Sequence, residues 1–206
     1  MTIPDGARSV VIFAHGSGSS RLSPRNRYVA EVLQEAGLGT LLFDLLTQEE
    51  DLAYGNRFDI DLLTDRLSSA TDWLMAKTEM DGVRLAYFGA STGAAAALRA
   101  AIGRKEVSAI VSRGGRPDLA WDYLGMVEAP TLLIVGGLDT EVIELNKLAF
   151  KRLKAEAELA IVPGATHLFE EAGALEEVAR LGKSWFLRFL RPPDDDHGNE
   201  SSQAAD

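Results

Sequence analysis

Six short apolar runs recur along the chain, each separated from the next by enough residues for a helix. They are SVVIFAHG from Ser9, GTLLFDLL from Gly39, VRLAYFGA from Val83, VSAIVSRGG from Val107, PTLLIVGGLD from Pro130 and AELAIVPG from Ala157. As a set they are near-continuously apolar with many β-branched residues, which predicts parallel strands covered on both faces. The gaps carry helical spacing. Ser23 is a natural N-cap, Pro24 suits the first helical position, and Gly37 supplies a stop. Between them Val29, Val32, Leu33 and Ala36 form one apolar stripe. Leu63, Leu67, Ala70 and Leu74 mark a second helix over Asp61 to Met75, and an alanine block from Ala94 marks a third. Leu145, Leu148, Ala149 and Leu153 mark a fourth, and Leu175 to Leu190 a fifth. Strands alternating with helices predict an α/β protein: a three-layer α/β/α sandwich around a mostly parallel, doubly wound sheet of about six strands.

At 206 residues the pattern fits one domain over residues 1–191, without repeats or a linker. Residues 192–206 hold two alanines and otherwise polar residues, glycine and prolines, and read as a disordered acidic tail. Five acids of that tail (Asp194, Asp195, Asp196, Glu200 and Asp206) account for half of the formal net charge of -10. The acidic balance argues against nucleic acid or an anionic membrane as partner, because both need Lys and Arg to displace counterions. With no cysteine, thiolate metal sites and a thiol nucleophile are excluded. The start, MTIPDGARSV, has Asp5 where a leader peptide would be basic, and no apolar run approaches the ~20 residues of a membrane span. The expectation is a cytoplasmic protein; oligomeric state is not legible.

One short stretch changes the picture from fold to chemistry. Gly89-Ala90-Ser91-Thr92-Gly93 follows a predicted strand and opens a predicted helix, the context that gives G-x-S-x-G its meaning. A serine on a strained strand-to-helix turn needs small neighbours two residues either side, and the helix start presents the Thr92 amide to developing negative charge. A structural glycine turn is the plainer reading of the same letters.

A nucleophilic serine needs a base, and the base an orienting acid. His197 lies in the acidic tail. His15 directly follows the first strand, too early for the chain order Ser, acid, His, and fits a residue that orients its own loop. His167, in VPGATHLF after the last strand, is the expected base. Asp139, ending LLIVGGLDT, is the expected acid, although Asp is also a favoured helix cap. Asp118, Asp44 and Glu141 compete with it. In a parallel sheet the C-terminal strand ends share one edge, so Ser91, Asp139 and His167 converge there. The loop HGSGSS places Ser17 to offer a second oxyanion donor beside Thr92. A nucleotide loop is the rival reading of HGSGSS, but it lacks G-K-[ST] and the third glycine of the dinucleotide fingerprint. The histidines lack metal-site spacing, and neither metal nor cofactor is expected.

HG after the first strand, the elbow, an acid after the penultimate strand and a histidine after the last make the chain resemble the α/β-hydrolase superfamily over residues 8 to 190. HGSGSSRLSPRN, FDLLTQEED and SRGGRPDLA resemble its dienelactone hydrolase-related branch, including modules fused to phosphoribosyltransferase domains. The resemblance implies a Ser-His-Asp hydrolase of small carboxylic esters, thioesters or lactones. Dienelactone hydrolases use cysteine at the elbow, so with Ser91 their substrate does not carry over. Only Met1 to Arg8 precede the first strand, which implies a sheet without the usual leading antiparallel strands. Arg116 to Val127 leave room for one short helix and no large lid.

Arg21, Arg25, Arg113 and Arg116 follow strands at the expected active edge and are candidates for binding a substrate carboxylate or phosphate. The competing expectation pairs them with Asp44, Glu49, Glu50 or Asp118. The non-enzymatic alternative is a binding or regulatory module of the same fold, a companion of a phosphoribosyltransferase.

Overall fold

The computed structural model describes residues 1–77 and 82–190; the acidic tail and His197 lie outside the described residues. All six predicted strands form: β1 (Ser9–Ala14), β2 (Gly39–Leu42), β3 (Arg84–Ala90), β4 (Val107–Arg113), β5 (Thr131–Gly136) and β6 (Ala157–Val162). They make one parallel sheet in the order β2-β1-β3-β4-β5-β6. In β1 and β5 every residue is buried, which is why these runs are continuously apolar rather than alternating. Ahead of β1, Thr2 exchanges backbone hydrogen bonds with Thr40 in a single antiparallel bridge.

The helices are α1 (Pro24–Glu35), a single turn α2 (Gln48–Asp51), α3 (Ile60–Met75), α4 (Thr92–Ala100), α5 (Thr140–Arg152) and α6 (Ala174–Leu190). Ser23 caps α1 as expected, its side chain accepting from the Asn26 amide, with Pro24 at the first position. Gly37 ends it at φ 82°, where a side chain would be strained. The space allotted to one short helix holds a 3-10 segment, Pro117–Met126, packed beside α4. A second 3-10 segment, Tyr54–Phe58, and α2 fill the connection from β2 to α3. Neither carries enough periodicity to be seen in sequence.

Two cores cover the sheet. On one face Ile12, Tyr87 and Ile110 meet Leu63, Leu67 and Leu74 of α3 and the alanines of α4. Inside this core the Thr71 hydroxyl bonds the Leu67 carbonyl and the Tyr87 hydroxyl, each at 2.8 Å, so Tyr87 is the donor to Thr71. On the other face Phe13, Phe88 and Val111 meet Val29 and Leu33 of α1 and Val178, Trp185 and Phe186 of α6. The chain leaves β1 toward β2 but leaves β3 toward β4. The strand order therefore reverses between β1 and β3, and their C-terminal loops part there to open a crevice. HGSGSS follows β1 and the serine turn follows β3, so both predicted loops border that crevice. No described helix is long and apolar enough to cross a membrane.

Candidate active site

The turn after β3 has the strain that the motif demands. Ser91 sits at φ 50°, ψ -119°, outside the regions open to most L-residues. It is held there by three backbone bonds: its amide donates to the Arg113 carbonyl at 3.2 Å, and its carbonyl accepts from Ala94 and Arg116, both at 3.1 Å. A Cβ on Gly89 would lie 2.4 Å from the Ala94 Cα, and one on Gly93 2.2 Å from the Ala14 carbonyl oxygen. The glycines therefore allow α4 to rest against β1 and β3 at backbone distance. Ala94, Ala95, Ala96 and Ala97 are fully buried, extending that close approach along the helix.

Asp139 and His167 come together across 28 residues of sequence. The His167 Nδ1 lies 2.6 Å from Asp139 Oδ2, so the proton sits on Nδ1 and Nε2 is left as the basic nitrogen. Asp139 occupies the N-cap position of α5 yet makes no side-chain capping bond. The carboxylate thus faces His167 rather than its own helix. Two competitors of Asp139 are taken elsewhere: Asp44 pairs with Arg21, and Asp118 grips Arg116 through two bonds of 2.8 and 2.7 Å. The third, Glu141, lies exposed in the first turn of α5. The imidazole lies along Gly114, whose φ is 53° and whose absent side chain would stand 3.5 Å from the ring. Ser91 and His167 line one cavity of about 160 Å³ together with Ser17, Ser19, Arg25 and Arg113. No hydrogen bond joins the Ser91 hydroxyl to His167; such contacts commonly tighten only when substrate is bound.

His15 is not a base. Its Nε2 accepts from the Leu45 amide at 3.0 Å, so Nδ1 carries the proton and donates to the Gly16 carbonyl at 3.0 Å. With both nitrogens engaged, the ring ties the loop after β1 to the exit of β2. The Ser17 amide departs from expectation: it donates to the Thr92 hydroxyl at 3.0 Å rather than standing free. That hydroxyl, 75 residues away in sequence, competes for it because the elbow brings Thr92 under the loop. The Thr92 amide, first in α4, has no acceptor within its helix.

The four arginines separate into two kinds. Arg21 and Arg116 are ion-paired, as the competing expectation holds, and neither lines the cavity. Arg25 and Arg113 do line it. Arg25 has one long contact, 3.3 Å, to the exposed Glu170. Arg113 is 7% exposed and meets no carboxylate among the described residues; its nearest polar contact is Asn26 Oδ1 at 3.5 Å. Its guanidinium lies 5.9 Å from the centre of the Phe169 ring. Burial, and then the charge of Arg25, push Arg113 down to about 10. Phe169, at φ 56°, and Gly114 were not among the sequence candidates. The doubled glycine of SRGG signals the latter; nothing in HLF signals a phenylalanine in left-handed backbone.

Among the described residues no group of three or more His, Asp or Glu is placed to hold a metal ion. A serine on a strained elbow and an Asp-oriented histidine, gathered at the switch point of a parallel sheet, define the architecture of the α/β hydrolases. Within that class the chain belongs to the Dienelactone hydrolase family, whose sequence pattern matches residues 3–190. Its structure resembles that of a dienelactone hydrolase from Anabaena variabilis, 59% identical, with a TM-score of 0.89 over 92% of this chain and 90% of that one. Est1E from Butyrivibrio proteoclasticus, 19% identical, shares the fold with a TM-score of 0.75 over 90% and 91% of the two chains. In Mycobacterium tuberculosis (strain H37Rv) a protein named "Putative phosphoribosyl transferase Rv0571c" is 58% identical over 194 residues. That alignment takes in 94% of this chain and 44% of the relative, so the chain spans less than half the length of the curated relative.

Proposed function

We propose that the chain is a serine hydrolase of small carboxylic esters, thioesters or lactones, working through an acyl-enzyme on Ser91. The observation that carries this reading is the turn of the Asp139 carboxylate away from its own helix to His167 Nδ1, leaving Nε2 basic. In the reaction His167 takes the Ser91 proton as the serine oxygen bonds the substrate carbonyl carbon. The tetrahedral oxyanion collapses, the bond to the leaving group breaks, and His167 returns its proton to that group. Water, deprotonated by His167, then attacks the acyl carbon; the bond to the serine oxygen breaks, His167 returns the proton to Ser91, and the acid leaves. The Thr92 amide receives the oxyanion at the positive end of α4. The Ser17 amide joins it by exchanging the neutral Thr92 hydroxyl for a charged acceptor, an exchange that charge-assisted bonding favours.

The test is a panel of p-nitrophenyl esters and thioesters, with labelling of Ser91 by a fluorophosphonate. Turnover of at least one class together with labelling supports the reading; neither overturns it. Asp139→Asn is expected to keep the fold and lower kcat by roughly 10⁴-fold, because the amide holds the wrong tautomer of His167. Stopped assays across the panel check this. A second reading rests on the mycobacterial relative, in which the matched region is under half of a protein named for phosphoribosyl transfer. There the fold would serve as a binding module, and an unlabelled Ser91 would favour it.

A further inference from the structure

The cavity that holds Ser91 also holds two guanidinium groups without adequate counter-charge. Arg113 is buried without a carboxylate, Arg25 has only its long contact to Glu170, and the Nε of each is buried without a partner. Positive charge of this kind opposes folding unless something compensates it. Among the described residues the compensation is slight, Glu170 for Arg25 and the Asn26 oxygen and Phe169 ring for Arg113, yet both arginines line the space that Ser91 and His167 share. Such an arrangement is expected where stability has been exchanged for recognition of a ligand.

We infer that Arg25 and Arg113 form a binding site for a tetrahedral dianion, so that the substrate carries a phosphate-type group within a few bonds of its scissile carbonyl. The charge favours a dianion over a monocarboxylate, which would bring one charge to two guanidiniums, of which only the partly exposed Arg25 has a carboxylate near, at 3.3 Å. The shape agrees: a carboxylate presents one planar edge, whereas a tetrahedral group directs oxygens toward two guanidiniums at once. The hydroxyls of Ser17 and Ser19 line the same cavity and supply further donors. Ser17, Ser19 and Arg25 also border an open cleft of about 540 Å³ on the outer side of the loop, which leaves a path for the rest of the molecule. The inference rests on the hydrolase reading for what the anion is attached to, but not for the binding itself.

The test is thermal melting of the full chain with inorganic phosphate, against acetate at matched ionic strength. Phosphate well above its Kd is expected to raise the Tm of the wild type and of Ser91→Ala by roughly 3 °C or more, acetate to do much less. Phosphate should also inhibit p-nitrophenyl acetate hydrolysis competitively. Arg25→Met loses the phosphate shift. Arg113→Met loses it too and, without phosphate, melts above the wild type, since a buried unpaired charge has gone; a structural anchor would melt lower. If Arg113→Met does not fold, the anchor role is favoured for that residue, and Arg25→Met still decides whether the site binds anion. Equal stabilisation by acetate overturns the dianion assignment. A phosphate shift that survives in both arginine variants overturns the site. A phosphate shift without any ester turnover leaves the site standing and removes the hydrolase reading; turnover with no phosphate effect does the reverse.

Discussion

Ser91→Ala is expected to lose ester turnover by at least roughly 10⁴-fold while unfolding at nearly the same denaturant concentration as the wild type. The two halves of that result have separate causes. Turnover fails because the other hydroxyl residues lining the cavity, Ser17 and Ser19, sit on the loop after β1 and not on the turn that opens α4. Stability persists because the Ser91 hydroxyl makes no hydrogen bond among the described residues, while the backbone bonds of the turn belong to its amide and carbonyl. Alanine meets the same strain at φ 50° that serine does, so the turn is neither relieved nor worsened. Kinetics on a p-nitrophenyl ester together with urea unfolding measure both halves. Turnover retained within tenfold would mean that Ser91 is not the nucleophile.

Gly93→Ala should have the opposite profile and unfold the protein rather than silence it. A methyl group there would stand 2.2 Å from the Ala14 carbonyl oxygen and 2.4 Å from that of His15. Both are backbone atoms in or beside β1, so no side chain can turn aside to make room. Helix α4 would have to lift from the sheet, opening the alanine-packed interface along its length. The expected loss is at least about 3 kcal/mol, at the severe end of single substitutions. Gly103→Ala is the control. Gly103 has φ 72° but nothing within 4 Å of a Cβ, so only backbone strain of about 1 kcal/mol is added. Urea unfolding of the two variants separates crowding from conformational strain, and comparable losses in both would remove the close-approach account.

What was legible in the sequence was what is local. A buried parallel strand announces itself by continuous apolar residues, and the elbow by five consecutive letters. His167 could be placed because strand order fixes which loops share an edge. Asp139 was harder, since a capping aspartate and a histidine-orienting one look alike until the direction of the carboxylate is known. The arginines were legible only in part. Asp44 and Asp118 were expected partners and do pair with Arg21 and Arg116, whereas Arg25 finds Glu170 from 145 residues away and Arg113 meets no carboxylate among the described residues. Which cations stay without a counter-charge is therefore a property of the folded surface. The diversion of the Ser17 amide to Thr92 belongs with these, as does the left-handed Phe169.

The carboxylate that Asp139 turns toward His167 is one its own helix goes without. The opening turn of α5 consequently starts with donors that no side chain closes, which leaves it readier to fray than the capped start of α1. Fraying of the α5 turn on warming would move the carboxylate that holds His167. The proposed ester turnover is therefore expected to fall at a temperature below the melting of the sheet, which activity and circular dichroism followed in parallel would check.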